Sequence, residues 1–170
     1  MPIIEQYYIF LKQINNLTHS YIMIPCNMSF CEDDEKIEKV RNICNNFLEK
    51  YNVQILFSYS TDGIYSTNVR EKKELKEKYF DNIFKFCEEM GWGVHPMISY
   101  EGIDNAIDNY EWFKRKFKQF KLTQKTLSIV PSYLEVRNDG WTEESIEKYK
   151  NFLLYYLNDI FHNTYNSNLQ

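Results

Sequence analysis

Three polar side chains occupy alternate positions at the end of a predicted strand. Ser58, Ser60 and Asp62 follow an apolar segment that starts at Val53, and alternation along a strand places all three on one side. Burying three polar side chains costs free energy unless each has a partner. Because α/β proteins commonly bind ligands at the carboxyl ends of their strands, we expect a binding site at this strand end.

Three further strands are predicted to end in polar residues. The first strand, residues 21–25, leads to Cys26, Asn27 and Ser29. The third, residues 94–99, carries His95, Met97 and Ser99 on one face and leads to Tyr100 and Glu101. The fourth, residues 127–137, carries Glu135 and Arg137 on one face, with Asn138 and Asp139 in the following turn. An arginine at such a site is suited to hold a carboxylate through two parallel hydrogen bonds.

Each of these residues also has a structural interpretation. Asp62-Gly63 is an ordinary turn signal. A single histidine in an apolar strand, such as His95, is more often a hydrogen-bonded core residue than a catalyst. Glu135 and Arg137 could pair with neighbouring strands, and a buried ion pair is weak evidence of function. The recurrence of polar residues at four strand ends favours a ligand site over these separate explanations.

Helical periodicity fills the spaces between the predicted strands. We predict helices over about 4–16, from Asp33 or Asp34 through Leu48, over 73–90, over 103–120 including Ile107, and from Thr142 to Ile160 including Ile146. Alternating βα units predict an α/β domain over residues 1–162 with a mainly parallel sheet, followed by a polar tail over 163–170. The chain has no glycine-rich phosphate motif, which disfavours a nucleotide-binding Rossmann fold.

Composition excludes several classes of partner. The 170 residues carry a net charge of −4, which gives no reason to expect nucleic acid or an acidic membrane surface as a partner. No apolar segment approaches the length of a membrane span and the amino terminus lacks the basic region of a signal peptide, so we expect a cytoplasmic protein. The four cysteines have no zinc or thioredoxin spacing. Cys44 and Cys87 fall in predicted helices as small apolar residues, and no disulfides are expected.

The motif Ser60-Thr61-Asp62-Gly63, with Arg70 shortly after it, resembles the fourth-strand motif of radical S-adenosylmethionine (SAM) enzymes. The similarity is greatest to the peptide- and protein-modifying group whose members often carry a SPASM-type auxiliary-cluster domain. Segments 95–99, 105–112 and 134–142 also resemble that group, and the resemblance extends over about residues 21–161.

This resemblance implies an open (β/α)6 barrel, of which the chain would form the carboxyl-terminal two-thirds with about four parallel strands. The family holds a [4Fe–4S] cluster on a C-x3-C-x2-C motif and contacts the SAM amino group through a Gly-Gly-Glu-Pro motif, and the chain has neither. The resemblance also implies roles for individual residues. Ser60 would bind the SAM ribose with Ser58 and Asp62 on the same wall, Arg70 would bind the methionine carboxylate, Glu135 and Arg137 would face cofactor or substrate, and His95 and Asn138 would face the substrate.

Three functional hypotheses remain at this point. The first is a partial radical SAM enzyme, a truncation or split product that acts on a peptide or protein and is inactive alone. The second is a cluster-free binding or regulatory protein that keeps the pocket for SAM, a peptide or a partner chain. The third is an unrelated small α/β enzyme that uses His95, Glu135 and Arg137 in acid–base chemistry. If two barrel strands are missing, residues 21–25 form an exposed sheet edge, which predicts self-association or a partner that supplies the missing half.

Overall fold

Our computed structural model describes Gln6, Ile9 and residues 20–65, 77–91, 94–122, 130–131 and 140–166. The chain divides into two units, residues 1–58 and 59–170. Of the predicted first helix, only Gln6 and Ile9 are described, and both are helical. No helix in the described part of the chain combines the length and apolar character needed to cross a bilayer.

The first unit contains strand β1 (Ser20–Pro25), a 3₁₀ turn (Ser29–Glu32), helix α1 (Asp34–Tyr51) and the start of strand β2 (Val53–Thr61). β1 lies parallel to β2, with Ser20 beside Val53 and Pro25 beside Ser58. The Asp33 carboxylate starts α1 by accepting hydrogen bonds from two backbone N–H groups of its first turn, which confirms the predicted cap.

The second unit contains the end of β2, helix α2 (Glu77–Met90), strand β3 (Val94–Ile98), a 3₁₀ turn (Ile103–Asn105), helix α3 (Ala106–Gln119), strand β4 (Val130–Pro131) and helix α4 (Glu143–Asn166). β2 pairs parallel with β3 through residues 59–61, and β3 pairs parallel with β4. The predicted α/β class with a parallel sheet is therefore confirmed. Only two residues of the predicted fourth strand are described.

Aromatic side chains join α2 to α3 in the second unit. The Phe84 ring, on α2, lies between 5.5 and 6.4 Å from the rings of Trp112, Phe113, Phe117 and Phe120, measured between centroids. A second cluster joins α3 to α4, where Tyr110 contacts Phe152 with the two rings nearly perpendicular. All of these contacts are edge-to-face except that between Phe84 and Phe120, whose rings are stacked. Both arrangements add to the free energy gained by burying the rings.

Three predictions drawn from helical periodicity were wrong. Leu48, Ile107 and Ile146 were placed on buried helical stripes, and all three side chains are exposed. α4 continues to Asn166 and so includes the first four residues of the predicted polar tail. Spacing identifies the residues that share a helical face, but the neighbouring elements decide how wide a part of that face is covered.

Candidate functional site

Asp62 and Ser99 meet at the carboxyl ends of two neighbouring strands. Asp62 is the first residue after β2 and Ser99 is the first residue after β3. The Ser99 hydroxyl donates a hydrogen bond to the Asp62 carboxylate, and the Gly102 N–H donates to the Ser99 hydroxyl at 3.1 Å. Asp62 is only 5% exposed. The predicted convergence of polar side chains at this edge of the sheet is therefore present for these two residues.

The turn after Asp62 is closed by a side chain from α3. Asn109 is buried, and its side-chain oxygen accepts a hydrogen bond from the Tyr65 N–H at 2.9 Å. Gly63 adopts a φ of +105°, and a Cβ on this residue would lie 2.5 Å from the Asn109 Oδ1 atom. Only glycine fits this position without displacing Asn109. Asp62-Gly63 therefore forms a turn, as one interpretation predicted, and Asp62 also lies at the strand end.

Sequence reasoning did not identify the part that Asn109 plays in this site. The available signal was an amide side chain on the apolar face of α3, among residues that include Tyr110 and Phe113. A buried amide needs hydrogen-bond partners. Its presence on a core-facing stripe therefore pointed to a buried polar turn nearby.

The two faces of the sheet in the second unit differ in exposure. Tyr59 and its β3 neighbour Val94 are both buried, whereas Ser60 and its β3 neighbour His95 are half-buried and exposed, respectively. Met97, two positions further along β3, is half-buried. Ser60 and His95 therefore lie side by side on an accessible face. The interpretation of His95 as a core histidine was wrong.

Tyr100 and Glu101 continue this edge beyond Ser99. Tyr100 is partly exposed, and a hydrogen bond with Glu101, together with the charge of that carboxylate, raises the pKa of the Tyr100 phenol above its ordinary value. Gly140 lies directly against the Tyr100 ring, because a Cβ on Gly140 would be 2.4 Å from a ring carbon. The residue before Trp141 is therefore packed against the carboxyl end of β3.

The polar residues of the first unit serve local structure. The Ser58 carbonyl accepts a hydrogen bond from the Cys26 N–H at 3.0 Å, which extends the β1–β2 ladder by one bond. The Asn27 side chain accepts from the Ser29 N–H at 3.1 Å, and the Cys26 sulfur lies 3.2 Å from the Met28 N–H that donates to it. These bonds shape the loop that follows β1.

Four of the predicted site residues lie outside the described part of the chain, and their proposed contacts stay predictions: Arg70, Glu135, Arg137 and Asn138.

Two cavities are lined by described residues of the second unit. A cavity of about 10 Å³ lies beside Asp62, Gly102 and Asn109, which is space for about one water molecule. A second cavity of about 230 Å³ lies between the start of α3 and α4, beside Ile107 and Lys148. It contains none of the predicted site residues and is smaller than a typical pocket for a drug-sized ligand.

The surroundings of the four cysteines bear on whether this chain could hold an iron–sulfur cluster. All four thiols are free, and three of them, Cys31, Cys44 and Cys87, are buried. Burial raises the pKa of Cys44 to about 11 and that of Cys87 to about 12, which disfavours the thiolate form that binds iron. Among the described residues, no group of three or more His, Cys, Asp or Glu side chains is placed to hold a metal ion.

No protein-family model matches this chain, and neither the curated proteins nor the solved structures include a significant match to it.

Proposed function

We propose that this chain is a cluster-free protein of the radical SAM type that binds S-adenosylmethionine at the carboxyl ends of β2 and β3 and performs no radical chemistry by itself. The observation that carries the proposal is the hydrogen bond between Asp62 and Ser99, with Ser60 and His95 on the adjoining accessible face. In the proposed fold the two strands belong to a partial (β/α)6 barrel, and the accessible face lines its interior.

Ser60 is the ligand contact in this proposal. Its hydroxyl group is suited to hydrogen-bond with the two hydroxyl groups of a ribose ring, because a serine hydroxyl both donates and accepts. Ser60 is half-buried, so part of its side chain is accessible from the face of the sheet. Asp62 acts indirectly in this proposal, through Ser99. Its carboxylate holds the end of β3 through Ser99 and thereby positions Ser60 relative to His95.

The thiols support the proposed absence of radical chemistry. In radical SAM enzymes the [4Fe–4S] cluster supplies the electron that cleaves SAM, and such a cluster needs several thiolate ligands. Cys44 lies on α1 and Cys87 lies on α2, and burial raises the pKa of both thiols. We therefore expect a binding or regulatory function, with a peptide or protein as the second partner.

An open site without a cluster should bind SAM weakly. The methionine end of the ligand loses its metal anchor, and the cavity beside Asp62 encloses only about 10 Å³. We expect a dissociation constant in the range of about 0.1 to 1 mM, equivalent to a binding free energy of about −4 to −5.5 kcal/mol.

Calorimetric titration with SAM tests the site. Ser60→Ala should weaken binding several-fold, whereas Gln119→Ala, an exposed change at the carboxyl end of α3, should leave the titration unchanged. The helix that follows β3 runs back along the sheet, so Gln119 lies far from the carboxyl ends of the strands. Binding that is absent in the wild type, or equal in the wild type and Ser60→Ala, would refute the proposed site.

Anaerobic reconstitution with iron and sulfide tests the cluster-free character separately. The reconstituted protein should contain far less than one cluster per chain. A preparation with about four irons per chain and an electron paramagnetic resonance signal that responds to SAM would contradict the proposal, whatever the calorimetry gives.

A further inference from the structure

The cavity of about 230 Å³ between the start of α3 and α4 has apolar walls. Ile107 and Phe152 line it, together with Ile103 and Ala106. Phe152 is 2% exposed, whereas Ile107 is 40% exposed. Because covering such apolar surface is favourable, these walls suit the apolar part of a ligand. The volume is below that of a pocket for a drug-sized molecule, so we expect the occupant to be a single long side chain.

Two carboxylates and one ammonium group line the same cavity, those of Asp104, Asp108 and Lys148. The Lys148 Nζ atom lies 2.7 Å from a carboxylate oxygen of Asp104 and 2.7 Å from one of Glu144. The hydrogen bonds to Asp104 and Glu144 raise the pKa of Lys148 above its ordinary value. Lys148 is therefore charged, and two carboxylates already balance its charge.

Asp108 is the carboxylate of this cavity that is available to a ligand. It is exposed, and no residue in the described part of the chain forms a hydrogen bond or ion pair with its side chain. With Asp104 and Glu144 it makes three carboxylates around the single ammonium group of Lys148, so the rim of the cavity carries an excess of negative charge. Apolar walls under a negative rim are complementary to an apolar stem that ends in a cation.

We propose that this cavity binds a basic side chain, lysine or arginine, of a peptide or protein partner. The methylene stem lies against Ile107 and Phe152, and the cationic group reaches the Asp108 carboxylate. Lysine and arginine bury their stems along apolar surface while the charged head stays in water, which matches a cavity with apolar walls and an exposed carboxylate at its rim.

The position of the cavity favours a peptide as the source of this side chain. Ile103 begins the 3₁₀ turn that follows β3, and the Gly102 N–H just before it donates to the Ser99 hydroxyl. The cavity is thus built on residues that directly follow the carboxyl end of β3, where ligand binding is proposed above. The identity of the occupant rests on the proposed function, in which a peptide or protein is the second partner.

An aspartate in the first turn of a helix also stabilises the helix through its dipole. Asp108 lies in the first turn of α3, so a test must separate this role from binding. Asp34 offers the matched control. It is an exposed aspartate in the first turn of α1, it has no partner among the described residues, and it lines neither of the two cavities.

Nuclear magnetic resonance titration of the ¹⁵N-labelled full chain, without SAM, tests the site. The probe is the acetylated, amidated tripeptide Gly-Lys-Gly, and its control carries norleucine in place of lysine, which keeps the apolar stem and lacks the ammonium group. The lysine peptide should shift the amide signals of residues 103–108 and 148–152 saturably, with a dissociation constant of about 1–10 mM. It should bind at least about three times more tightly than the norleucine peptide. The corresponding arginine peptide should bind in the same range as the lysine peptide.

Variants of the two aspartates complete the test. Asp108→Asn should weaken binding of the lysine peptide about three- to five-fold, the change expected for loss of one accessible ion pair, while Asp34→Asn should leave it unchanged. No saturable shift up to about 30 mM peptide, equal affinity for the lysine and norleucine peptides, or equal titrations of the two variants would each overturn the proposal.

Failure of this proposal and failure of the proposed SAM site are distinguishable. Ser60 does not line the cavity, so Ser60→Ala should bind the lysine peptide as the wild type does. A parallel loss of peptide binding in Ser60→Ala would overturn the assignment of the peptide to this cavity. A failed SAM titration refutes the SAM site alone, because the peptide titrations contain no SAM.

Discussion

The Ser99 hydroxyl donates a hydrogen bond to the Asp62 carboxylate, and the two residues directly follow adjacent parallel strands. Ser99 also accepts a hydrogen bond from the Gly102 N–H, so one side chain links the end of β2 to the 3₁₀ turn that leads into α3. Any ligand bound on the accessible face beside Ser60 would lie next to a strand end that the hydrogen bond between Asp62 and Ser99 holds in place.

The coupling between Asp62 and Ser99 is measurable. Ser99→Ala removes a donor from a buried carboxylate and should lower the free energy of unfolding by about 1–3 kcal/mol in urea titrations. Combined with Asp62→Ala in a double-mutant cycle, it should give a coupling energy above about 0.5 kcal/mol. Ser60→Ala, on the same edge but half-buried, should cost less than about 0.5 kcal/mol. Additive effects of the two single changes would show that the hydrogen bond does not stabilise the fold.

Alanine substitutions at Gly63 and Gly91 distinguish the cost of backbone strain from the cost of steric overlap. Both have positive φ angles, +105° and +72°, but a Cβ on Gly63 would overlap Asn109 while one on Gly91 meets no described atom within 4 Å. Gly91→Ala should therefore cost about 1 kcal/mol of stability from strain alone. Gly63→Ala should cost about 3 kcal/mol because overpacking adds to the strain. If chemical denaturation gave equal losses of unfolding free energy for the two variants, the steric overlap of a Cβ at residue 63 with Asn109 would be ruled out.

Lys116 is a buried cation whose two partners are more accessible. Its ammonium group bonds to Glu77 and Asp81 of α2, and its side chain is 8% exposed. Burial lowers the pKa of Lys116, but the hydrogen bonds to the two carboxylates outweigh burial and raise it above its ordinary value.

Removing the two sides of this ion pair should therefore have unequal effects. Lys116→Met leaves two carboxylates that water can reach, and it should change the free energy of unfolding by less than about 1 kcal/mol. The double change Glu77→Gln with Asp81→Asn leaves a buried ammonium without a countercharge, and it should cost about 3 kcal/mol or more. Thermal or urea unfolding of both variants compares them. If Lys116→Met lowered the free energy of unfolding more than the double variant does, the buried ammonium group would not be the side of the ion pair that depends on its partners.

Cys87 should make the protein less stable at alkaline pH. Its thiol has a pKa of about 12 in the folded state and an ordinary value of 9.0, so between these values the unfolded chain loses a proton that the folded chain keeps. Stability is therefore full below pH 9 and falls as the pH rises. From pH 8 to pH 10 this thiol should contribute a loss of about 1.4 kcal/mol.

The matched variant Cys87→Ala isolates this effect from other groups that titrate at alkaline pH. It should lower stability at pH 8 by loss of packing, yet it should lose about 1.4 kcal/mol less than the wild type between pH 8 and pH 10. Urea unfolding under reducing conditions at both pH values gives the comparison. Parallel losses in the two proteins would assign the alkaline instability to other residues.

Local residue patterns were enough to predict the α/β class of this protein and the general position of its candidate site. Alternating periodicities predicted an α/β fold with a parallel sheet, and the cap at Asp33 is present because capping depends on neighbouring residues. The strand-end positions of Asp62 and Ser99 followed from the same local patterns. The binding of SAM, and the roles of Arg70, Glu135, Arg137 and Asn138, stay predictions.

Which of these residues are in contact depends on how the strands and helices pack together. The register of β2 against β3 places Ser60 beside His95, and the placement of α3 inserts Asn109 into the turn at Gly63. Helical spacing could not show that Ile107 and Ile146 would be exposed. Periodicity is a property of one element, whereas pairing, burial and hydrogen bonding across elements depend on where the neighbouring elements lie.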